Sequence, residues 1–159
     1  MLTFTLHSLE ETAALGRRMA ALLREAPLRV LLLRGDLGSG KTTLTRALVE
    51  ALPDGHLAEI SSPSFTICNM YPTRPPVVHC DLYRSAGSLP DDVLDALDDE
   101  RCLVIIEWAE YLPECDRPQE YLDISLQSCK NTRKITLHAQ GAAADLFLRG
   151  LQQGKMEQQ

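Results

Sequence analysis

The sequence predicts an α/β fold: a P-loop nucleoside-triphosphatase layer, with a mainly parallel sheet flanked by helices, an inserted antiparallel hairpin and C-terminal antiparallel strands. Three observations predict it. The apolar run Val30-Leu31-Leu32-Leu33 enters a glycine-rich turn and leaves as a helix, the strand–loop–helix order of a phosphate loop. A second apolar run, 102–106, ends on Glu107, as a buried parallel strand does when it opens into a crevice. Two stretches, near 65–82 and 121–139, alternate apolar and polar residues on either side of turn residues. A chain of 159 residues suits one domain, placed at 1–150, with a polar tail at 151–159 expected to be disordered.

Each element has its own signal. Residues 2–6 read as a short strand. Ser8-Leu9-Glu10-Glu11 has the form of a capping box, and Leu15, Met19 and Leu22 follow at helical spacing, so 8–24 is a helix. The helix after the glycine loop carries Leu44, Leu48 and Ala51 on one face and stops at Pro53-Asp54-Gly55. Ser61, Ser62, Pro63 and Ser64 mark a switch-like loop. Phe65, Ile67 and Tyr71 alternate, the prolines of 72–76 break the chain, and Val78, Cys80 and Leu82 alternate again, giving two strands in a wide hairpin. Pro90, Leu94 and Leu97 suggest a short acidic helix. Strands at 121–127 and 133–139 flank a polar turn at 128–132, and a last helix spans 142–150.

Composition narrows the function classes. At 45% hydrophobic and 24% charged, the chain resembles an ordinary soluble globule. Five cysteines, never closer than twelve residues, suggest neither a disulfide framework nor a zinc site and read as small core hydrophobes in a reducing cytosol. No basic leader precedes an apolar stretch and no apolar run could span a bilayer, so a cytoplasmic location is expected. The net charge of −6 is uneven: residues 91–123 hold twelve acids against Arg101 and Arg117. Direct nucleic-acid binding would demand the opposite sign. The stretch is a solvated face or a docking surface for a basic partner. The histidines at 7, 56, 79 and 138 lack metal-ligand spacing and read as structural or incidental, and no serine or cysteine pairs with a histidine as a nucleophile would.

The chemistry sits in Gly35-x-x-x-x-Gly40-Lys41-Thr42, the Walker A spacing, matched by chance in about one chain in 200 of this length. Its backbone N–H groups cradle phosphates, Lys41 supplies a point charge, and Thr42 offers a hydroxyl to Mg²⁺. Asp36, Leu37, Gly38, Ser39, Gly40, Lys41, Thr42 and Thr43 are therefore the expected nucleotide-binding residues. Hydrolysis also needs a metal-side carboxylate and a group that places water. Glu107 stands where a Walker B acid belongs. Asp81, in His79-Cys80-Asp81-Leu82-Tyr83-Arg84, is either a second metal-side or water-positioning group or a structural ion-pair partner of Arg84.

Taken in order, GDLGSGKTT, SSPSFT, HCDLYR and IIEW resemble the TsaE (YjeE) family, small bacterial P-loop ATPases of tRNA threonylcarbamoyladenosine synthesis, and the likeness runs to the NTRKITL of the C-terminal strand pair. The resemblance implies weak Mg²⁺-dependent ATP hydrolysis coupled to a complex with the TsaB and TsaD proteins, the latter transferring the threonylcarbamoyl group to tRNA. It implies that Lys41 and Thr42 hold phosphate and Mg²⁺, that Thr43 supports the loop, that Asp81 and Glu107 serve metal and water, and that Trp108 belongs to the nucleotide site. Ser62, Pro63 and Ser64 match the family's loop, with Ser64 in place of the usual threonine. Residues 85–101 are shorter and more acidic than the family pattern.

Two other readings use the same loop. A small-molecule kinase would pass the γ-phosphate to an acceptor, but no arginine-rich lid segment is visible. A GTPase switch would carry N-K-x-D and D-x-x-G, and both are missing. No arginine finger is evident either, Arg84 and Arg101 being the candidates.

Overall fold

The computed structural model of the protein describes residues 1–63, 66–85 and 89–156, the side chains of 154–156 excepted. Seven strands form one sheet: β1 (Leu2–Leu6), β2 (Val30–Arg34), β3 (Cys68–Tyr71), β4 (Val77–Asp81), β5 (Leu103–Glu107), β6 (Tyr121–Cys129) and β7 (Thr132–Gln140), in the spatial order β1-β7-β6-β2-β5-β4-β3. The four central strands β6, β2, β5 and β4 run parallel, while β1 and β7 on one side and β3 on the other are antiparallel. The inner strand of the inserted hairpin is thus itself part of the parallel core.

The parallel strands are apolar along their length because both faces are covered. Leu31, Leu33 and Ile105 point to a core shared with helices α1 (Leu9–Leu23), α2 (Lys41–Ala51) and α4 (Ala142–Met156). Val30, Leu32, Val104 and Ile106 point to a second core closed by α3 (Asp91–Asp98). At the start of helix α1 the Ser8 hydroxyl accepts from Glu11 N–H, as in a capping box, while the Glu11 carboxylate reaches one residue further back and accepts from His7 N–H. It lies so close to α2 that a Cβ on Gly16 would stand 2.7 Å from Ala47 Cβ.

Five details differ from the sequence reading. The last helix continues to Met156 because Leu151, one turn beyond Phe147, is fully buried, so the boundary at 150 is too early; residues 157–159 lie outside the described residues. Strand β3 starts at Cys68, after Ile67, which takes a left-handed conformation (φ 68°) that breaks the alternation, while Phe65 lies outside the described residues. The β6–β7 turn is tighter than 128–132: pairing runs to Cys129 opposite Thr132, leaving Lys130 and Asn131, with Lys130 at φ 43°. Cys115 and Cys129 are exposed, on a surface 3-10 turn and at the hairpin end, so not all cysteines are core residues. The acids of 91–123 do not form one face, since Glu107 is buried and Asp123 pairs with Arg34 at 2.7 Å, whereas Asp91, Asp92, Asp95 and Asp98 are exposed on α3. Among the described residues no helix is long and apolar enough to cross a membrane.

Candidate functional site

The site is built where β2, β5 and β4 all end. Loop 35–40 follows β2 and turns into α2, whose N-terminus faces the crevice with the positive end of its dipole. Two glycines are required by this path. Gly35 has φ 137° and any Cβ there would strike the Leu126 carbonyl oxygen, while Gly40 caps α2 in the left-handed region at φ 104°.

Lys41 and Thr42, at the first helical positions, turn into the crevice. The buried Lys41 ammonium donates to the carbonyls of Gly35 and, at 3.0 Å, Asp36, and lies 4.0 Å from the centroid of the Trp108 ring. Burial pushes its pKa below the ordinary lysine value, although Glu107, Glu110, Asp81 and Asp36 pull it back. The Thr42 hydroxyl donates to Glu107 Oε2 at 3.1 Å. Trp108 reaches the lysine because its backbone is left-handed (φ 57°), which turns the indole back over the loop between Tyr83 (4.7 Å between centroids) and Tyr111 (6.1 Å).

The two predicted acids stand side by side, Asp81 paired with Glu107 in the β4–β5 ladder. Asp81 Oδ1 accepts from Tyr83 N–H at 2.8 Å, which closes the turn after β4. Glu107 is held from both sides: Oε2 by Thr42, and Oε1 by His79 Nε2 at 2.8 Å, both ionisable side chains being buried. A carboxylate can only accept, so Nε2 carries the proton and Nδ1 faces the Tyr71 hydroxyl at 3.2 Å. That hydroxyl also lies 3.2 Å from the carbonyl of Ser61. A buried chain thus connects the start of the 61–63 loop, through Tyr71 and His79, to Glu107 and the first turn of α2.

These groups surround a cavity of about 200 Å³ lined by Leu37, Gly38, Gly40, Lys41, Thr42 and Thr43 from the loop and α2, by Ser62, Asp81 and Glu107, and by Tyr83, Trp108 and Arg133. Asp36 and Ser39 do not line it: Asp36 offers its carbonyl to Lys41, and the Ser39 side chain is turned inward and buried. Pro63 is buried behind the loop, where its carbonyl accepts from Thr66 and Ile67 N–H, and Ser64 lies outside the described residues.

Sequence reasoning misplaced or missed several side chains. Of the two roles the sequence left to His79, structural or incidental, the structural one holds, since it is buried against Glu107, and the signal was its shared parity with Asp81 on one strand. Tyr71 and Tyr83 carry no signal beyond that same alternation. Arg133 enters from β7, which only the sheet order brings near the loop. Of the two arginines singled out, Arg101 forks onto Asp99 at 2.9 Å at the opposite end of the strands, before β5 begins, and Arg84 is exposed and does not line the cavity.

The profile of threonylcarbamoyl adenosine biosynthesis protein TsaE matches residues 6–135, a span that includes every cavity residue. The chain belongs to the TsaE family. The Bacillus subtilis tRNA threonylcarbamoyladenosine biosynthesis protein TsaE is 37% identical over 83% of this chain and 82% of its own length. The Aquifex aeolicus protein of the same name is 36% identical over 84% of this chain and 92% of its own. The Streptomyces coelicolor one is 44% identical over 60% of this chain and 66% of its own. The crystal structure of Bacillus subtilis YdiB superposes with a TM-score of 0.76 at 31% identity, covering 97% of this chain and 95% of that one. The TsaE resemblance read from the four motifs, and the P-loop α/β fold expected from them, both hold.

Proposed function

We propose that the protein binds ATP with Mg²⁺ in this cavity, hydrolyses it slowly, and serves tRNA threonylcarbamoyladenosine synthesis by acting on a TsaB–TsaD complex. The observation that carries the reading is convergence: a loop lysine, a helix N-terminus, the Thr42 hydroxyl and two carboxylates from adjacent strand ends meet around one cavity. The family's role in tRNA modification comes from the names of its relatives.

The donor set fits Mg²⁺. It consists of hard oxygens, Thr42 Oγ1 with the carboxylates of Glu107 and Asp81, and among the described residues no cluster of three acids, histidines or cysteines forms a self-sufficient metal cage. Mg²⁺ characteristically takes one or two protein oxygens and completes its shell with nucleotide phosphates and water. When bound, the ion neutralises charge that develops on the transferred phosphoryl group.

The chain's own residues divide the remaining work. Backbone N–H groups of the loop and α2 receive phosphate oxygens, and Lys41 exchanges carbonyl partners for phosphate. His79 fixes one oxygen of Glu107, so the other stays aimed at Thr42. Asp81, whose Oδ1 accepts from Tyr83 N–H, lines the same cavity beside Glu107 and serves the water or the metal shell. Neither arginine singled out from the sequence stands at the cavity as a finger, Arg101 being forked onto Asp99 and Arg84 lying outside the lining; such a group is worth about 10³–10⁵ in rate, so turnover alone is slow and partners accelerate it.

The test is to mix the protein with TsaB and TsaD from the same organism and follow complex formation by size-exclusion chromatography with and without Mg-ATP. A nucleotide-dependent ternary complex is expected. A mixture that never co-elutes, or one indifferent to nucleotide and to Lys41→Ala, contradicts the proposal.

A further inference from the structure

Two cysteines face each other across the inserted hairpin, and nothing in the phosphate site uses them. Cys68 opens β3 and is paired in register with Cys80 of β4, and their sulfurs lie 2.7 Å apart as free thiols. The ladder favours this pair. Asp81 N–H donates to the Ile67 carbonyl at 2.8 Å, so 67 and 81 face each other as a hydrogen-bonded pair, and Cys68 and Cys80, one step along, form a pair that is not hydrogen-bonded. In an antiparallel ladder such a pair brings its Cα atoms to about 4.5 Å, within the range of about 4.4–6.8 Å that a disulfide spans, with both side chains on one face. The two sulfurs can be joined without moving the backbone.

They differ in access. Cys80 is fully buried in the core closed by α3, whereas Cys68, on the edge strand, is half-buried and packs against that core from outside. A small oxidant arriving from solvent meets Cys68 first, and Cys80 stands behind it as the resolving thiol. The hydrogen bond to Cys80 also pulls the Cys68 pKa below the ordinary thiol value, against burial and the nearby Asp92 of α3. Among the described residues the other cysteines are placed differently. Cys102 lies before β5 at the opposite end of the strands, its thiol 3.6 Å from Asp99 Oδ2, and Cys115 and Cys129 are exposed on a surface turn and at a hairpin end.

We propose that Cys68 and Cys80 are an oxidation site that takes a hydroperoxide as its oxidant and closes a reversible cross-strand disulfide. The Cys68 thiolate attacks the terminal oxygen, the O–O bond breaks, and Cys68 becomes a sulfenic acid while the rest of the oxidant leaves as an alcohol, or as water from hydrogen peroxide, with a proton from solvent. The Cys80 sulfur then attacks Cys68, the S–O bond breaks, and hydroxide departs as water with the Cys80 proton. Two thiols thereby lose two electrons and two protons, and the hydroperoxide gains both. A dithiol reverses the bond by exchange. Strand β3 is joined to the sheet through β4 alone, and the 61–67 segment with its cavity residue Ser62 leads into it. The sulfurs face the α3 core, on the side of β4 opposite to His79 and Asp81. The bond therefore ties the edge strand to the parallel core and leaves the acid pair in place, whatever the cavity binds.

The test is a hydrogen peroxide titration of the full chain carrying Cys115→Ser and Cys129→Ser, which removes the two exposed thiols. Alkylation and mass spectrometry before and after dithiothreitol locate the bond, and amide hydrogen exchange compares the two forms. A small excess of peroxide should withdraw Cys68 and Cys80 together from alkylation, as one disulfide within a single chain, and dithiothreitol should restore both. Asn69 and Tyr71, whose amides bond across to β4 by the same alternation, should exchange about tenfold more slowly in the oxidised form. Cys80→Ala should stop at a sulfenic acid on Cys68 that dimedone captures, and Cys68→Ala should leave Cys80 reduced at the same dose. Both thiols remaining alkylatable overturns the proposal, as does a bond that joins two chains or uses Cys102. Oxidation first at Cys80 in the Cys68→Ala variant overturns the assigned order of attack, and a disulfide that leaves the exchange of β3 unchanged overturns the tether.

Discussion

Lys41 shows how much of the site is already set in the free protein. Its ammonium is buried, tethered to two loop carbonyls and laid on the face of an indole, a position that lowers its pKa and would be costly without those partners. A phosphate offers a full negative charge in place of carbonyl dipoles, and one charge-assisted contact is worth about 1.5–3 kcal/mol. Lys41→Ala should therefore weaken Mg-ATP binding at least tenfold while thermal unfolding stays near the parent; calorimetry with unchanged affinity would remove Lys41 from the site. Trp108 supplies an optical reading of the same event. It is the chain's single tryptophan, so any signal has one origin, and moving the cation off its ring changes the environment of the indole. Titrating Mg-ATP should shift or quench Trp108 fluorescence in the parent and leave it flat in Lys41→Ala. A flat parent titration would mean that Lys41 keeps its place on the ring.

Among the elements, α1 and α2 are the pair on which the phosphate loop depends, because α2 begins at the lysine and is held down by α1. Their closest approach is at Gly16, where an added Cβ would stand 2.7 Å from Ala47 Cβ and 2.8 Å from the Ala47 carbonyl carbon. In an exposed helix, glycine to alanine usually gains about 1 kcal/mol of stability. Here the sign reverses: Gly16→Ala should destabilise by about 1–3 kcal/mol through overpacking, read as a lower midpoint in urea unfolding. A gain in stability would contradict the packing described. The elements also show what a sequence can reveal. Strands β2 and β5, the loop glycines, Lys41, Thr42 and Glu107 were legible because local rules govern them: an apolar run buried on both faces, positive φ at a turn, an acid at a strand end. His79 and Arg133 were not, because the first owes its role to register against β5 and the second to β7 lying two strands from β2. Ile67 defeated the alternation rule through one left-handed residue, and the last helix outran its expected end because a polar-looking tail still carries Leu151 into the core.

At the scale of the molecule, charge and topology divide the surface. The α3 helix exposes aspartates and carries no basic residue, and the net charge is −6, which disfavours a phosphate-rich partner there. The isolated chain should bind tRNA only weakly and in a salt-sensitive way, as filter binding at low and physiological ionic strength would report; tight, salt-resistant binding would require a nucleic-acid face that this charge distribution does not provide. On the proposed function, influence on tRNA runs through protein partners, and the cavity at the phosphate loop is where nucleotide would make that influence conditional. The measurement that tests this most directly is steady-state Mg-ATP turnover by the parent, Glu107→Gln and Asp81→Asn, each alone and with the cognate TsaB–TsaD pair. Slow turnover by the parent alone, acceleration by the pair, and loss of that acceleration in both variants despite retained ATP binding are the predicted result; turnover that ignores the partners, or survives both substitutions at the parent rate, would contradict it.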